Sequence, residues 1–123
     1  MDSVETYIQC VKQLLNDYGS IPISNEPDVH NEVIFDTEHN RYLLLSVGWS
    51  KGKRVHHTVM HIDIIDEQIW IQANNTDRLI AEELVEAGVP PEAIVLGLQP
   101  PDVRPYTAYG VPHNNLTVNS QSC

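Results

Sequence analysis

Val4, Ile8, Val11, Leu15 and Tyr18 recur at three- and four-residue spacing, the period of a helix buried along one side. Tyr7 and Leu14 widen that stripe, while Glu5, Gln9, Lys12 and Asn16 fall opposite it. Asp2 or Ser3 can cap the start, with Glu5 three residues after Asp2 as the reciprocal partner, and Gly19 supplies the stop. The pattern predicts a helix over about residues 3–18. Pro22, Pro27 and their polar neighbours make 20–28 a loop.

From Val29 the period changes to two, in four runs: Val29 to Asp36, Arg41 to Trp49, Arg54 to Ile65 and Gln68 to Asn74. The breaks are short and polar, so consecutive runs are read as antiparallel neighbours in a four-stranded meander. With a loop at 50–53, Trp49 faces Arg54, Val47 faces His56, Leu45 faces Thr58 and Leu43 faces Met60. With a turn at Asp66-Glu67, Ile65 faces Gln68, Ile64 faces Ile69 and Ile62 faces Ile71. One face then carries Leu43, Leu45, Val47, Met60, Ile62, Ile64, Ile69 and Ile71, and the helices are expected there. The other carries Tyr42, Leu44, Val59 and Trp70 beside Ser46, His57, His61, Asp63 and Gln72. Glu67 occupies a position where hairpin turns favour glycine, which suggests a type I turn.

Asn75, Thr76 or Asp77 can cap a second helix running to Ala87, with Gly88 as its left-handed stop and Val89-Pro90-Pro91 beyond. Its apolar arc is Ile80, Ala81, Leu84, Val85 and Ala87, with Glu82, Glu83 and Glu86 opposite. Ile94-Val95-Leu96 follows as a short strand or turn. The fold class is therefore α+β, in the order α-β-β-β-β-α plus that short element, with the helices on one sheet face. Residues 1–111 are read as a single domain and 112–123 as a tail.

The 123 residues suit one core, and the balance of hydrophobic and charged residues excludes disordered, collagenous and coiled-coil chains. Seven basic against seventeen acidic side chains give a net charge of -10, which opposes autonomous binding to a phosphate backbone. No apolar run reaches the roughly 20 residues of a membrane helix, and a cytoplasmic location is expected. Cys10 and Cys123, far apart in the chain, read as free thiols.

The densest candidate chemistry is His56-His57-Thr58-Val59-Met60-His61-Ile62-Asp63. On a strand, His57 and His61 are separated by about 13 Å and cannot share an ion, so no metal site is assigned. A polar stripe bonding across strands is the plainer reading, and a small metal-dependent or nucleic-acid-processing enzyme built on His57, His61 and Asp63 is the alternative. No phosphate-cradling glycine pattern and no activated nucleophile is present, so no catalytic residue and no cofactor is assigned. Lys51, Lys53 and Arg54 form a basic loop tip, too few against seventeen acids for a nucleic-acid patch. The mixed surface of Tyr42, Leu44, Val59, His61, Asp63, Trp70 and Gln72 suits a protein interface, with Glu82 and Glu86 placed to steer a basic partner.

Phe35-Asp36-Thr37, Tyr42 through Trp49, His61-Ile62-Asp63-Ile64, Ile69-Trp70-Ile71-Gln72, Ile80 through Val85, Gly88-Val89-Pro90, Ile94 through Gly97 and Pro100-Pro101 through Arg104, Tyr106 and Thr107 together resemble the XisI-like family. The likeness covers about residues 4 to 111. That family is named for the fdxN element excision controlling factor of cyanobacteria. The resemblance implies an accessory, non-enzymatic role in the programmed excision of a chromosomal element that accompanies heterocyst differentiation, with a separate recombinase doing the cutting and joining. It also implies a partnership with an XisH-like protein, itself similar to restriction-type nucleases. Homo-oligomerisation is compatible with it, and it carries no established catalytic residues to this chain.

Overall fold

The structure, a computed structural model, describes residues 3–21, 23 and 26–112. Helix α1 spans Ser3–Gly19 and is followed by four strands, β1 (Val29–Asp36), β2 (Arg41–Ser50), β3 (Lys53–Ile65) and β4 (Gln68–Asn74). Helix α2 (Ile80–Glu86) then leads through a 3-10 turn at Pro91–Ala93 into β5 (Ile94–Val95), and a second such turn lies at Arg104–Tyr106. The strands lie side by side in chain order, antiparallel except that β5 runs parallel to β4. The α+β meander with helices on one face is thus present, and the short C-terminal element adds a fifth strand. The capping pair at Asp2 or Ser3 and the tail beyond Pro112 lie outside the described side chains.

Which face the helices cover departs from the alternation read in the sequence. The β2–β3 register holds from the turn inward, with Trp49 opposite Arg54, Val47 opposite His56 and Leu45 opposite Thr58. There it shifts: Leu44 pairs with Met60 and Leu43 with His61, leaving Val59 as an extra residue. A bulge lets two successive residues of one strand address the same side, and Val59 and Met60 are both buried. The core face therefore carries Tyr42 and Leu44, not Leu43, Leu45 and Val47, together with Met60, Ile62, Ile64, Ile69 and Ile71. Val11, Leu14 and Leu15 of α1 and Ile80 and Leu84 of α2 close over them. A second shift, between His61 and Ile62, leaves Gln72 unpaired on β4 while Ile62 still faces Ile71 and Ile64 still faces Ile69.

The turns account for the registers. Ser50 pairs with Lys53, and Lys51 and Gly52 between them both have positive φ (53° and 79°). The next turn repeats the arrangement without glycine: Asp66 and Glu67 sit at φ 52° and 65°. Two successive left-handed residues mark a type I′ turn, whose twist suits a two-residue hairpin, so the type I turn suggested by Glu67 is corrected. At Gly48, φ is 152° and a Cβ would sit 2.0 Å from the Asp28 carbonyl oxygen, so the entry of β1 can pass only over glycine.

Helix α2 begins at Ile80, later than the three candidate caps. Asn74 and Thr76 instead form their own turn, with the Thr76 hydroxyl donating to Asn74 Oδ1 at 2.6 Å and the Asn74 amide donating to the Arg78 carbonyl at 2.9 Å. Side chains of this type compete with the helix for backbone partners. The end is as expected: Gly88 has φ 115°, its N–H bonds the Val85 carbonyl, and the Val89 N–H bonds that of Leu84.

Candidate functional site

With α1 and α2 on the Tyr42 side, the opposite face of the sheet carries no α-helix among the described residues. Along β2 it presents Leu43, Leu45 and Val47, all half-buried, ending at Trp49, which is 54% exposed. Ile34 extends the apolar stripe onto β1, where His30 and Glu32 bond each other at 2.9 Å. The Arg54 guanidinium lies 5.5 Å from the Trp49 ring centre and holds the indole at the hairpin tip.

At the other end of this face Asp63 is 4% exposed, yet its carboxylate is well supplied. His61 Nε2 lies 2.8 Å from one oxygen, and the Gln72 amide donates to the other at 3.3 Å. Arg41 Nε stands 3.8 Å away, across the strand pair that sets Arg41 opposite Asp63. A buried carboxylate needs such partners, so this cluster fixes the His61 ring and the Arg41 guanidinium at the rim of the apolar stripe.

Beside it, Trp70 stands opposite Asp63, and Arg104 covers the indole at 5.2 Å. The same guanidinium donates to the carbonyls of Leu96, Gln99 and Gly97 at 3.2, 3.1 and 3.3 Å. Gly97 presses on the ring as well, since a Cβ there would lie 3.1 Å from it. The C-terminal segment thus seals this part of the sheet.

The nine side chains singled out from the sequence consequently divide into three groups. Tyr42, Leu44 and Val59 belong to the helix-covered core, because the bulge at Val59 in β3 sets Met60 and Ile62 on the same side of the sheet as Leu44 and Tyr42. His61, Asp63, Trp70 and Gln72 share the helix-free face and touch one another as described. Glu82 and Glu86 are exposed on α2, in the helical layer behind the sheet. Their neighbour Glu83 is engaged by Arg78 through a two-pronged ion pair.

The same bulge separates His57 from His61 and Asp63. His57 pairs with Ser46 on the helix side and lines a cleft of about 500 Å³ with Tyr18, Val29, Asn31 and Val59. The Ser46 hydroxyl there donates to Asn31 Oδ1 at 2.8 Å. The three residues of the enzymatic alternative therefore do not assemble.

Among the described residues, one group has ligand-type atoms within 4.8 Å of one another: Asp36, Glu38 and His39. No spacing in the sequence singles it out, and turn closure accounts for it. Asp36 accepts the backbone N–H groups of Glu38 and His39 at 3.1 and 3.2 Å and contacts the His39 ring at 2.9 Å. That ring contact, followed by the His39 backbone bond, holds the Asp36 carboxyl below its ordinary value.

These elements define a small α+β protein in which helices cover one face of the sheet and, among the described residues, the β1–β2 part of the other face is left uncovered. A model of the XisI protein matches residues 1–111, and the chain belongs to the XisI family. Among solved structures it is similar to a XisI-like protein from Anabaena variabilis ATCC 29413. The identity is 50%, the TM-score is 0.84, and 89% of this chain and 99% of that one are covered. It is also similar to the fdxN element excision controlling factor XisI of the same organism, at 29% identity and a TM-score of 0.78, over 90% of this chain and 100% of that one. No curated protein matches the sequence. Among the described residues no helix is long and apolar enough to cross a membrane.

Proposed function

We propose that this chain is a non-enzymatic controlling factor for excision of a chromosomal DNA element, and that it works by docking a nuclease-like, XisH-like protein on its helix-free sheet face. One observation carries the reading: Leu43, Leu45, Val47 and Ile34 form a continuous apolar stripe that no described element covers, anchored by exposed Trp49 and bordered by Arg41, His61 and Arg54. An apolar centre with a tryptophan and a charged rim is the composition on which binding energy concentrates. DNA is reached through the partner, since a net charge of -10 opposes direct contact with phosphates. Glu82 and Glu86, behind the sheet, act on the rate of encounter with a basic partner rather than on the contact itself.

The test is binding between the purified chain and the XisH-like protein, followed by surface plasmon resonance. Leu45→Arg and Trp49→Ala should each weaken the complex tenfold or more, mainly through faster dissociation, with melting curves close to that of the parent. Normal binding by both variants would show that the partner sits elsewhere. No complex with the parent chain would remove the XisH-like protein as the partner.

A further inference from the structure

The two edges of the sheet are unlike. At one, β5 has only two residues, and the returning chain covers it through the Gly110 N–H, which bonds the Ile94 carbonyl at 2.7 Å. At the other, β1 is an eight-residue strand with β2 on one side and no described strand on its outer side. Exposed edges are usually blunted by proline, lysine or a bulge. Strand β1, VHNEVIFD, has neither residue and pairs with β2 without a shift.

Which backbone groups face outward follows from the ladder. The Trp49 N–H donates to the Asp28 carbonyl at 3.1 Å. Bonding alternates along an antiparallel strand, so His30, Glu32, Ile34 and Asp36 turn their N–H and C=O groups to β2. Asn31, Val33 and Phe35 turn theirs outward.

We propose that β1 pairs with β1 of a second copy of this chain, antiparallel about a two-fold axis at Val33. Side-chain parity and the outward groups leave few registers. Centring on Glu32 would set two glutamates against each other. Centring on Asn31 leaves Phe35 unused and calls on the Val29 N–H, which already bonds the Glu26 carbonyl at 3.2 Å. Centring on Val33 engages all three outward residues, with Val33 opposite its copy and Asn31 opposite Phe35. It also sets His30 opposite the second copy's Asp36 and Ile34 opposite its Glu32, so the exposed charges meet opposite or neutral partners. The axis is perpendicular to the sheet, so ten strands become continuous and both helix-free faces look the same way. The pairing does not rest on the partner reading above.

Sedimentation equilibrium of the full chain over a concentration series tests it. The parent should dimerise, and Ile34→Glu, which sets a new carboxylate against Glu32 of the other copy, should raise the dissociation constant tenfold or more. Glu32→Lys combined with Ile34→Glu should restore the dimer, because opposite charges then face each other in this register alone. A parent that stays monomeric at its highest soluble concentration, an Ile34→Glu protein that dimerises normally, or a double variant that does not recover would each overturn the proposal. Amide hydrogen exchange on the parent decides it independently if the variants fail to fold. The N–H groups of Asn31, Val33 and Phe35 should slow as concentration rises, and unchanged fast exchange would refute the pairing.

Discussion

The Arg104 guanidinium lies 5.2 Å from the Trp70 ring centre while donating to three carbonyls of the segment between them. One side chain thus ties residues 96–99 to β4. Arg104→Ala strands those carbonyls and uncovers the indole, and should cost about 2 kcal/mol in urea denaturation. Arg104→Lys should recover little, since a single ammonium cannot reach three diverging acceptors while lying flat on a ring. Of the ways the C-terminal segment could cover Trp70, this one was not legible in the sequence. Tyr106 and Tyr109 are the obvious aromatic candidates, yet Tyr106 is 89% exposed and Tyr109 packs beside Glu82 and Val85.

Leu44 and Leu45 should separate folding from binding. Leu44 is fully buried, and Leu44→Ala should cost about 2–5 kcal/mol by denaturant titration. Leu45→Ala, on the helix-free face, should cost less than about 1.5 kcal/mol and act instead on association with the partner. Equal losses of stability would contradict the assignment of faces.

The Asp66-Glu67 turn holds two residues with side chains in the left-handed region. Replacing Glu67, at φ 65°, by glycine relieves a conformational cost of about 1–2 kcal/mol and adds some freedom to the unfolded chain. Glu67→Gly should therefore raise the melting temperature. A lower value would mean that the Glu67 side chain makes a contact that outweighs the relief.

Asp36 gives a pH dependence of definite sign. Its carboxyl is held below the ordinary 3.8 by the His39 ring and by backbone N–H groups. A depressed carboxyl stabilises the fold above its unfolded value and loses that contribution as pH falls through the lower folded value. Melting temperatures of the parent should fall more steeply below about pH 4 than those of Asp36→Asn. Because the Asp36 side chain is 44% exposed and its partners are screened by solvent, the difference will be modest, and parallel acid limbs would refute it.

The elements themselves follow closely from period and punctuation: the helical stripe of Val4 to Tyr18, the four period-two runs and the Gly88 stop all lie where the pattern puts them. The assignment of faces does not. Near Leu45 the pairing with Thr58 is as read, but the surplus Val59 shifts the phase of β3 by one residue against an uninterrupted β2, so Met60, Ile62 and Ile64 fall on the side of Leu44 and not of Leu45. Val59 and Met60 are both apolar, so the string Thr58-Val59-Met60-His61 fits either phase, and only the helices decide between them. That ambiguity moved Tyr42 and Leu44 from surface to core and divided His57 from His61 and Asp63. The Arg41–Asp63 contact was equally hidden, since it joins strands 22 positions apart across a register that the bulge resets.

The chain has two tryptophans, and the fold sets them in unlike surroundings. Trp49 stands in solvent on the helix-free face, whereas the Trp70 indole Nε1 is buried without a hydrogen-bond partner among the described residues. The molecule therefore contains two intrinsic optical reporters of different colour. A red-emitting, readily quenched signal from Trp49 registers whatever covers that face, and a blue-shifted signal from Trp70 registers loosening of the segment beneath Arg104. One emission spectrum can then distinguish occupancy from unfolding without any label.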